Sequence, residues 1–249
     1  MVLQGALALV TGAGQGNGLA IAKGFAQHGA HVIVTDINAQ TAKEAAEEIV
    51  RAGGKACAYA LDVADPDMCK SVAAAVKAAQ GPISVLVNNA GVCPRNTIDS
   101  PDVRKTWDFA MKINLDGTLN VTLAFVEALR ATKGSIINMA SIAAFVSTST
   151  SIAYSTSKAA IKMLTQNLAQ ELARDGVRVN ALAPGTFETA MTAATRNNPE
   201  RREKFLARIP MGRFGAPEEL VGPALFLASP MSSYVTGTTL VVDGGYLAV

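Results

Sequence analysis

The chain has 249 residues, 49% hydrophobic and 17% charged, with 22 basic against 20 acidic side chains and a formal net charge of +2. That length and composition suit a globular protein with a sizeable core, and neither a basic excess nor a block of like charge marks a nucleic-acid partner. Three unpaired cysteines (Cys57, Cys69, Cys93) and two histidines (His28, His31) give no zinc-like spacing, and no apolar run approaches the ~20 residues of a membrane span. The expectation is a soluble cytoplasmic protein with free thiols, no metal, no membrane segment and no nucleic-acid partner.

In chain order, Ala6 to Val10 reads as a buried strand that runs into the glycine cluster Thr11-Gly12-Ala13-Gly14-Gln15-Gly16-Asn17-Gly18. Leu19 to Gln27 has helical spacing. Ala30 to Thr35 is a second strand ending at Asp36. Asn38 is placed to cap a helix over Ala39 to Arg51. Ala56 to Ala60 is a third strand, closed by Leu61-Asp62-Val63. A helix over Asp67 to Ala79 stops at Gly81-Pro82, and Ile83 to Val87 is a fourth strand. A helix over Pro101 to Leu129, bent near Asn114, leads to a fifth strand, Ser135 to Met139. Ile152 to Ala173 is a long helix, Val177 to Leu182 a sixth strand, Pro217 to Leu227 a helix and Thr239 to Val242 a seventh strand. Apolar strands alternating with helices predict an α/β fold, a parallel sheet covered on both faces, in one domain spanning 1–249. The segment from about 186 to 215 breaks that rhythm and is read as a lid over a site.

The glycine loop sits between a strand and a helix, which makes it a candidate dinucleotide site. Gly12 permits the tight turn, Gly16 lets backbone approach a pyrophosphate, and Gly18 lets helix and strand pack. A plain glycine turn is the alternative. Asp36, about 20 residues on, has a carboxylate suited to both ribose hydroxyls of NAD and repels the 2′-phosphate of NADP. The next residue is Ile37, and Gln15 brings no positive charge to the loop, so the expected cofactor is NAD. Asp62 and Val63 end the third strand, and Asn89, Ala90 and Gly91 follow the fourth, all at ends where open α/β sheets bind ligands.

Tyr154 and Lys158 are four apart on the long helix and share a face, and Ser141 lies thirteen residues before the tyrosine. An ammonium beside a phenol favours the phenolate and is expected to lower the Tyr154 pKa. Tyr154 then exchanges a proton with a carbonyl or alcohol oxygen, and Ser141 donates a hydrogen bond to the same oxygen.

These residues, with Asn114, Asn180, Pro184-Gly185, Thr189 and the tail Val241 to Gly245, resemble the classical short-chain dehydrogenases/reductases over almost the whole chain. The resemblance implies a three-layer Rossmann-type fold with a seven-stranded parallel sheet. It also implies a catalytic tetrad of Asn114, Ser141, Tyr154 and Lys158, in which the asparagine holds a water that links the lysine to a proton relay. From the residues alone Asn114 is only a helix irregularity. The resemblance further implies that Lys158 bonds the nicotinamide ribose and that Thr189, with the Phe187 backbone, meets the carboxamide or pyrophosphate. The cofactor set is then Gly12, Gln15, Gly16, Asn17, Gly18, Asp36, Ile37, Asp62, Val63, Asn89, Ala90, Gly91, Tyr154, Lys158, Pro184, Gly185, Phe187 and Thr189. A homotetramer is implied, with faces near 101–129, 152–173 and 217–249.

Asn17 departs from the apolar residue usual in the family. The stretch Ile209 to Gly215 is similar to that of 3-oxoacyl-carrier-protein reductases, which usually prefer NADP, against the sense of Asp36. The substrate candidates are Ser141, Cys93, Phe145, Tyr154, Phe187 and Met191, with Pro94, Ile142, Val146, Ile152 and Phe205 around them. The expected reaction interconverts a secondary alcohol with an apolar flank, a polyol or a diol, and its ketone. A carrier-protein reductase and a non-catalytic NAD-binding regulator are the alternatives.

Overall fold

The first strand, β1 (Leu7–Thr11), is buried at every position, as are β4 (Val85–Asn88) and β5 (Ser135–Met139). Strands with no polar side must be covered on both faces, and in this computed structural model, which describes residues 1–148 and 150–249, they are. The other strands are β2 (His31–Asp36), β3 (Lys55–Ala60), β6 (Arg178–Pro184) and β7 (Thr239–Val242). The described residues form one seven-stranded parallel sheet in the order β3-β2-β1-β4-β5-β6-β7. The order reverses between β1 and β4. That crevice, at the C-terminal strand ends, is where ligands bind in such sheets.

The helices are α1 (Gly16–Gln27), α2 (Ala39–Arg51), α3 (Pro66–Gln80), α4 (Val103–Met111), α5 (Gly117–Thr132), α6 (Ile152–Leu172), α7 (Ala193–Arg196), α8 (Pro199–Leu206) and α9 (Val221–Ala228). Local chemistry sets their starts. The Asn38 side chain accepts from the amides of Gln40 and Thr41, and Asp65 accepts from Asp67 and Met68 just ahead of Pro66. Val10, Phe25 and Leu220 belong to the core on one face of the sheet, and Leu86, Phe125 and Ile136 to the core on the other. Each such fully buried side chain contributes roughly 1.5–3 kcal/mol relative to exposure.

The helix expected over Pro101 to Leu129 with a bend near Asn114 runs as α4 and α5, joined at that asparagine by one π-helical turn, Lys112–Asp116. The wider turn places Asn114 at 1% exposure. The helix expected from Pro217 starts as a 3₁₀ turn, Pro217–Leu220, before α9. The segment 186–215 closes on itself at its base. Phe187 and Gly215 form a parallel bridge, the Glu188 amide donates to the Gly215 carbonyl (2.9 Å) and the Gly215 amide to the Thr186 carbonyl (3.0 Å). The segment's Ile209 and Phe214 join Ile142 and Tyr246 in a small buried cluster against which Val146 and Phe205 pack.

Candidate active site

The end of β1 is fastened to the end of β4 by one hydroxyl. Thr11 Oγ1 accepts from the amides of Asn89 and Ala90 (3.0 Å each), and Asn89 Nδ2 donates to the carbonyls of Thr11 (2.8 Å) and Gly12 (3.0 Å). The glycine loop folds over this joint, with Gly12 at φ 59° and Gly16 at φ 57°, a region that favours glycine. A Cβ on Gly18 would lie 2.4 Å from the Gly12 carbonyl oxygen, so α1 can approach the loop only with glycine there. At the end of β2, Asp36 Oδ2 accepts from the Gly14 amide and Oδ1 from the Asn38 amide (3.1 Å each). Asp62 Oδ1 accepts from the Ala64 amide (2.9 Å) and turns the chain at the end of β3.

A cavity of about 440 Å³ runs along these ends, lined among others by Gly12, Gln15, Gly16, Asn17, Asp36, Ile37, Asp62, Val63, Asn89, Ala90, Gly91, Thr189 and Met191. A second, of about 100 Å³, is lined by Ser141, Tyr154, Lys158, Pro184, Gly185, Phe187, Thr192 and, shared with the first, Asn17, Asn89, Gly91, Val92, Thr189 and Met191. Together the two linings contain every residue of the expected cofactor set except Gly18, which lies buried behind the loop. The donor set suits a dinucleotide: loop amides and a helix N-terminus for pyrophosphate, and a carboxylate for ribose hydroxyls. Two further observations agree. Asn17 Oδ1 is buried without a protein partner, and a Cβ on Gly91 would stand 3.1 Å from Asn114 Oδ1 and 3.6 Å from Lys158 Nζ, so only glycine leaves that space clear.

The catalytic candidates converge on the second cavity. Lys158 is 6% exposed and its Nζ donates to the Met139 carbonyl at the end of β5 (2.7 Å). Burial pushes its pKa down to about 8. Its Nζ lies 5.9 Å from the centre of the Tyr154 ring. Burial also dominates at Tyr154, where it drives the phenol up, and the neighbouring Cys93 thiol adds to the rise. A hydrogen bond with Ser141 and the charge of Arg95 pull the other way. The expected lowering by Lys158 is therefore not what this site does on its own: the ammonium is directed at Met139, and desolvation of the phenolate outweighs the cationic help. Ser141 caps a 3₁₀ turn, Ile142–Ala144, by accepting from the Ala143 amide (3.1 Å), which fixes its oxygen beside the tyrosine.

Asn114 ties the site together from below. Its Oδ1 accepts from the Val92 amide (2.8 Å), and its Nδ2 donates to the Val92 carbonyl (3.0 Å) and to Ser157 Oγ (2.9 Å). Ser157 in turn donates to the Tyr154 carbonyl (2.7 Å). The segment after β4 is thus pinned to the helical turn that carries Tyr154. Ser157, Val92 and Thr11 have structural parts here that the sequence pattern does not single out. A second polar string, Thr122–Asn88–Asn138–Thr165, crosses the sheet beneath (2.9–3.0 Å per bond).

On the substrate side, Met191 and Phe187 line the cavity and Cys93 sits close enough to bear on Tyr154 and Lys158. Burial raises the Cys93 thiol pKa. Phe145 is 41% exposed and lies beneath the Lys162 ammonium, 4.4 Å from ring centre to Nζ. Ile142, Val146 and Phe205 serve the small apolar cluster at the 186–215 segment, so much of the expected apolar flank is packing.

The same architecture recurs in known proteins. A family model described as enoyl-(acyl carrier protein) reductase matches residues 12–247. The chain belongs to the classical short-chain dehydrogenase/reductase family. It is 43% identical to galactitol 2-dehydrogenase (L-tagatose-forming) of Cereibacter sphaeroides, covering 98% of this chain and 96% of that one. It is 42% identical to a 3-oxoacyl-[acyl-carrier-protein] reductase of Thermotoga maritima, covering 98% and 99%. Among solved structures, a gluconate 5-dehydrogenase from Burkholderia cenocepacia in complex with NADP and tartrate superposes with a TM-score of 0.94 at 37% identity, covering 99% of this chain and 97% of that one. At the level of the family, the protein is an NAD(P)-dependent oxidoreductase acting on hydroxyl and keto groups.

Proposed function

We propose that the protein interconverts a secondary alcohol, of polyol or hydroxy-acid type, and its ketone with NAD(H), using Asn114, Ser141, Tyr154 and Lys158. The observation that carries this reading is the meeting of Ser141, Tyr154 and Lys158 in a cavity continuous in its lining with the one that ends at Asp36. A bound nicotinamide supplies hydride exchange and, when oxidised, a positive charge. Tyr154 Oη gives its proton to the carbonyl oxygen in reduction and takes the alcohol proton in oxidation. Ser141 Oγ–H donates to the same oxygen as charge develops on it. Lys158, whose Nζ also donates to the Met139 carbonyl, would hold the nicotinamide ribose. Asn114 positions the Val92 segment against α6, and the family resemblance adds a water-borne proton relay through it. Thr189, Phe187, Pro184 and Gly185, which line the second cavity, would close the nicotinamide end, and 186–215 acts as the lid of a single catalytic domain.

Asp36 supports NAD over NADP, although the Burkholderia cenocepacia relative was solved with NADP. The polyol and sugar-acid relatives, together with the loss of the expected apolar flank to packing, support a hydroxylated substrate. The similarity to the Thermotoga maritima enzyme favours a second reading, reduction of a 3-oxoacyl thioester. Exposed Phe109, Leu123, Ile152 and Met163 on α4, α5 and α6 support a homotetramer. Among the described residues no helix is long and apolar enough to cross a membrane, and the proposed location is the cytoplasm. An absorbance screen at 340 nm over hexitols, aldonates, simple secondary alcohols and a 3-oxoacyl thioester tests the choice. NAD-linked oxidation of polyols or aldonates is expected, and thioester reduction as the dominant activity contradicts it.

A further inference from the structure

The 186–215 segment is held unevenly. Toward its C-terminal side the Phe205 ring stacks on Tyr246 (centres 6.0 Å apart), and the Arg208 guanidinium lies over the same ring (4.4 Å). On α7 the hold is a single polar contact: Arg95 Nη2, from the segment after β4, donates to Thr195 Oγ1 (2.8 Å) across 100 residues of chain. Among the described residues this is the one hydrogen bond that joins residues 189–208 to the chain outside 186–215. Thr195 is 2% exposed, so its hydroxyl meets a charged donor away from water. Such charge-assisted bonds are about twice as strong as neutral ones.

The bond reaches further than α7. Thr192 Oγ1 donates to the Thr189 carbonyl (3.1 Å), and Arg196 Nη2 donates to that same carbonyl (3.0 Å). The turn before α7 and α7 itself are thereby knotted into one piece. Within it Thr189 and Met191 line both cavities, and Thr192 lines the one that holds Ser141, Tyr154 and Lys158. On the other side of Arg95, Val92 is fixed by Asn114 through two hydrogen bonds. A polar path thus runs from Asn114 through the segment after β4 to a wall of the reaction cavity. The Arg95 charge also bears on Tyr154, where it draws the phenol down against the effect of burial.

We propose that Arg95 is a positioning residue, a latch that through Thr195 holds Thr189, Met191 and Thr192 in place and so sets the wall against which the alcohol is seated. The inference rests on the dehydrogenase reading and adds to it a residue outside the tetrad and the cofactor set. A loosened wall weakens binding of the alcohol in the ground state and the transition state alike, which raises KM more than it lowers kcat.

The test is a pair of substitutions and their combination in the full chain with NAD bound. Thr195→Val keeps the side-chain shape and removes the acceptor, and Arg95→Met removes the donor, with NADH titration confirming that the variants are folded. Hydrogen–deuterium exchange followed by mass spectrometry reads the 189–196 stretch, and initial rates on the best alcohol of the 340 nm screen read KM and kcat. Each single variant should speed exchange in 189–196 and raise KM by about tenfold, the loss expected of one bond to a charged group. Arg95→Lys, which keeps a charged donor, should recover part of both. Because the two residues share one bond, the double variant should behave as Arg95→Met alone. Exchange and KM unchanged by Thr195→Val, or effects that multiply to about a hundredfold in the double variant, overturn the latch. Faster exchange in both variants with no alcohol oxidised by the unmodified protein retains the latch and removes the dehydrogenase reading.

Discussion

Replacing Asp36 by Asn removes a charge and little else, which isolates the cofactor argument. The carboxylate accepts from the Gly14 and Asn38 amides, and an Asn side chain keeps one acceptor there, so the loop and the start of α2 lose at most one bond. Two unit charges about 4 Å apart interact by roughly 1 kcal/mol in water and about 4 kcal/mol at a protein surface. A phosphate monoester carries about −1.5 to −2 charges at neutral pH. Even near the watery limit, the 2′-phosphate of NADP therefore meets roughly 2 kcal/mol of repulsion from Asp36, or about 30-fold in affinity. Loss of the charged acceptor also weakens the bonds to the ribose hydroxyls of NAD by about 1 kcal/mol. Asp36→Asn should then raise the NADP-to-NAD ratio of kcat/KM by about a hundredfold. Initial rates with both cofactors on one alcohol, with NADH and NADPH fluorescence titrations beside them, measure it. A folded variant whose ratio moves less than about threefold refutes the reasoning.

Asn114→Ala removes one buried and two part-buried hydrogen bonds and leaves the Val92 amide and carbonyl without that partner, so urea unfolding should show a loss of about 2–4 kcal/mol, with kcat falling more than NADH affinity. Lys158, with its pKa lowered to about 8 by burial, is an ammonium below that pH and a neutral amine above it. NADH should accordingly bind more weakly at pH 9.5 than at pH 6.5 if the ammonium holds the ribose, and Lys158→Met should flatten that dependence in a fluorescence titration.

Much of this arrangement is legible in the residues because local rules act without competition. Asn38 ahead of Ala39 marks a helix start that tertiary packing has no reason to move, and β5 and β7 stand where their apolar runs lie. Asp36 reads as a cofactor residue because strand, loop and spacing agree. The residues mark an irregularity near Asn114, but not that it is a π-helical turn, Lys112–Asp116, or that Asn114 bonds there with Val92 and Ser157, both distant in sequence. The Tyr154 environment is hidden for a similar reason. A four-residue spacing shows that Lys158 shares a face with the tyrosine, but not that its Nζ is spent on the Met139 carbonyl or that burial governs the phenol. Phe145 and Phe205 look alike as apolar candidates, and only packing separates a side chain under Lys162 from one set against the Ile142–Ile209–Phe214–Tyr246 cluster.

The central claim is that Tyr154 moves the proton while the cavity ending at Asp36 holds the cofactor independently. Tyr154→Phe keeps the ring and removes only the hydroxyl. Steady-state turnover of the best alcohol should fall by about 10²–10⁴-fold, the range of a positioned acid–base group, while the NADH dissociation constant stays within about twofold. A Tyr154→Phe enzyme that turns over at the unmodified rate contradicts the account.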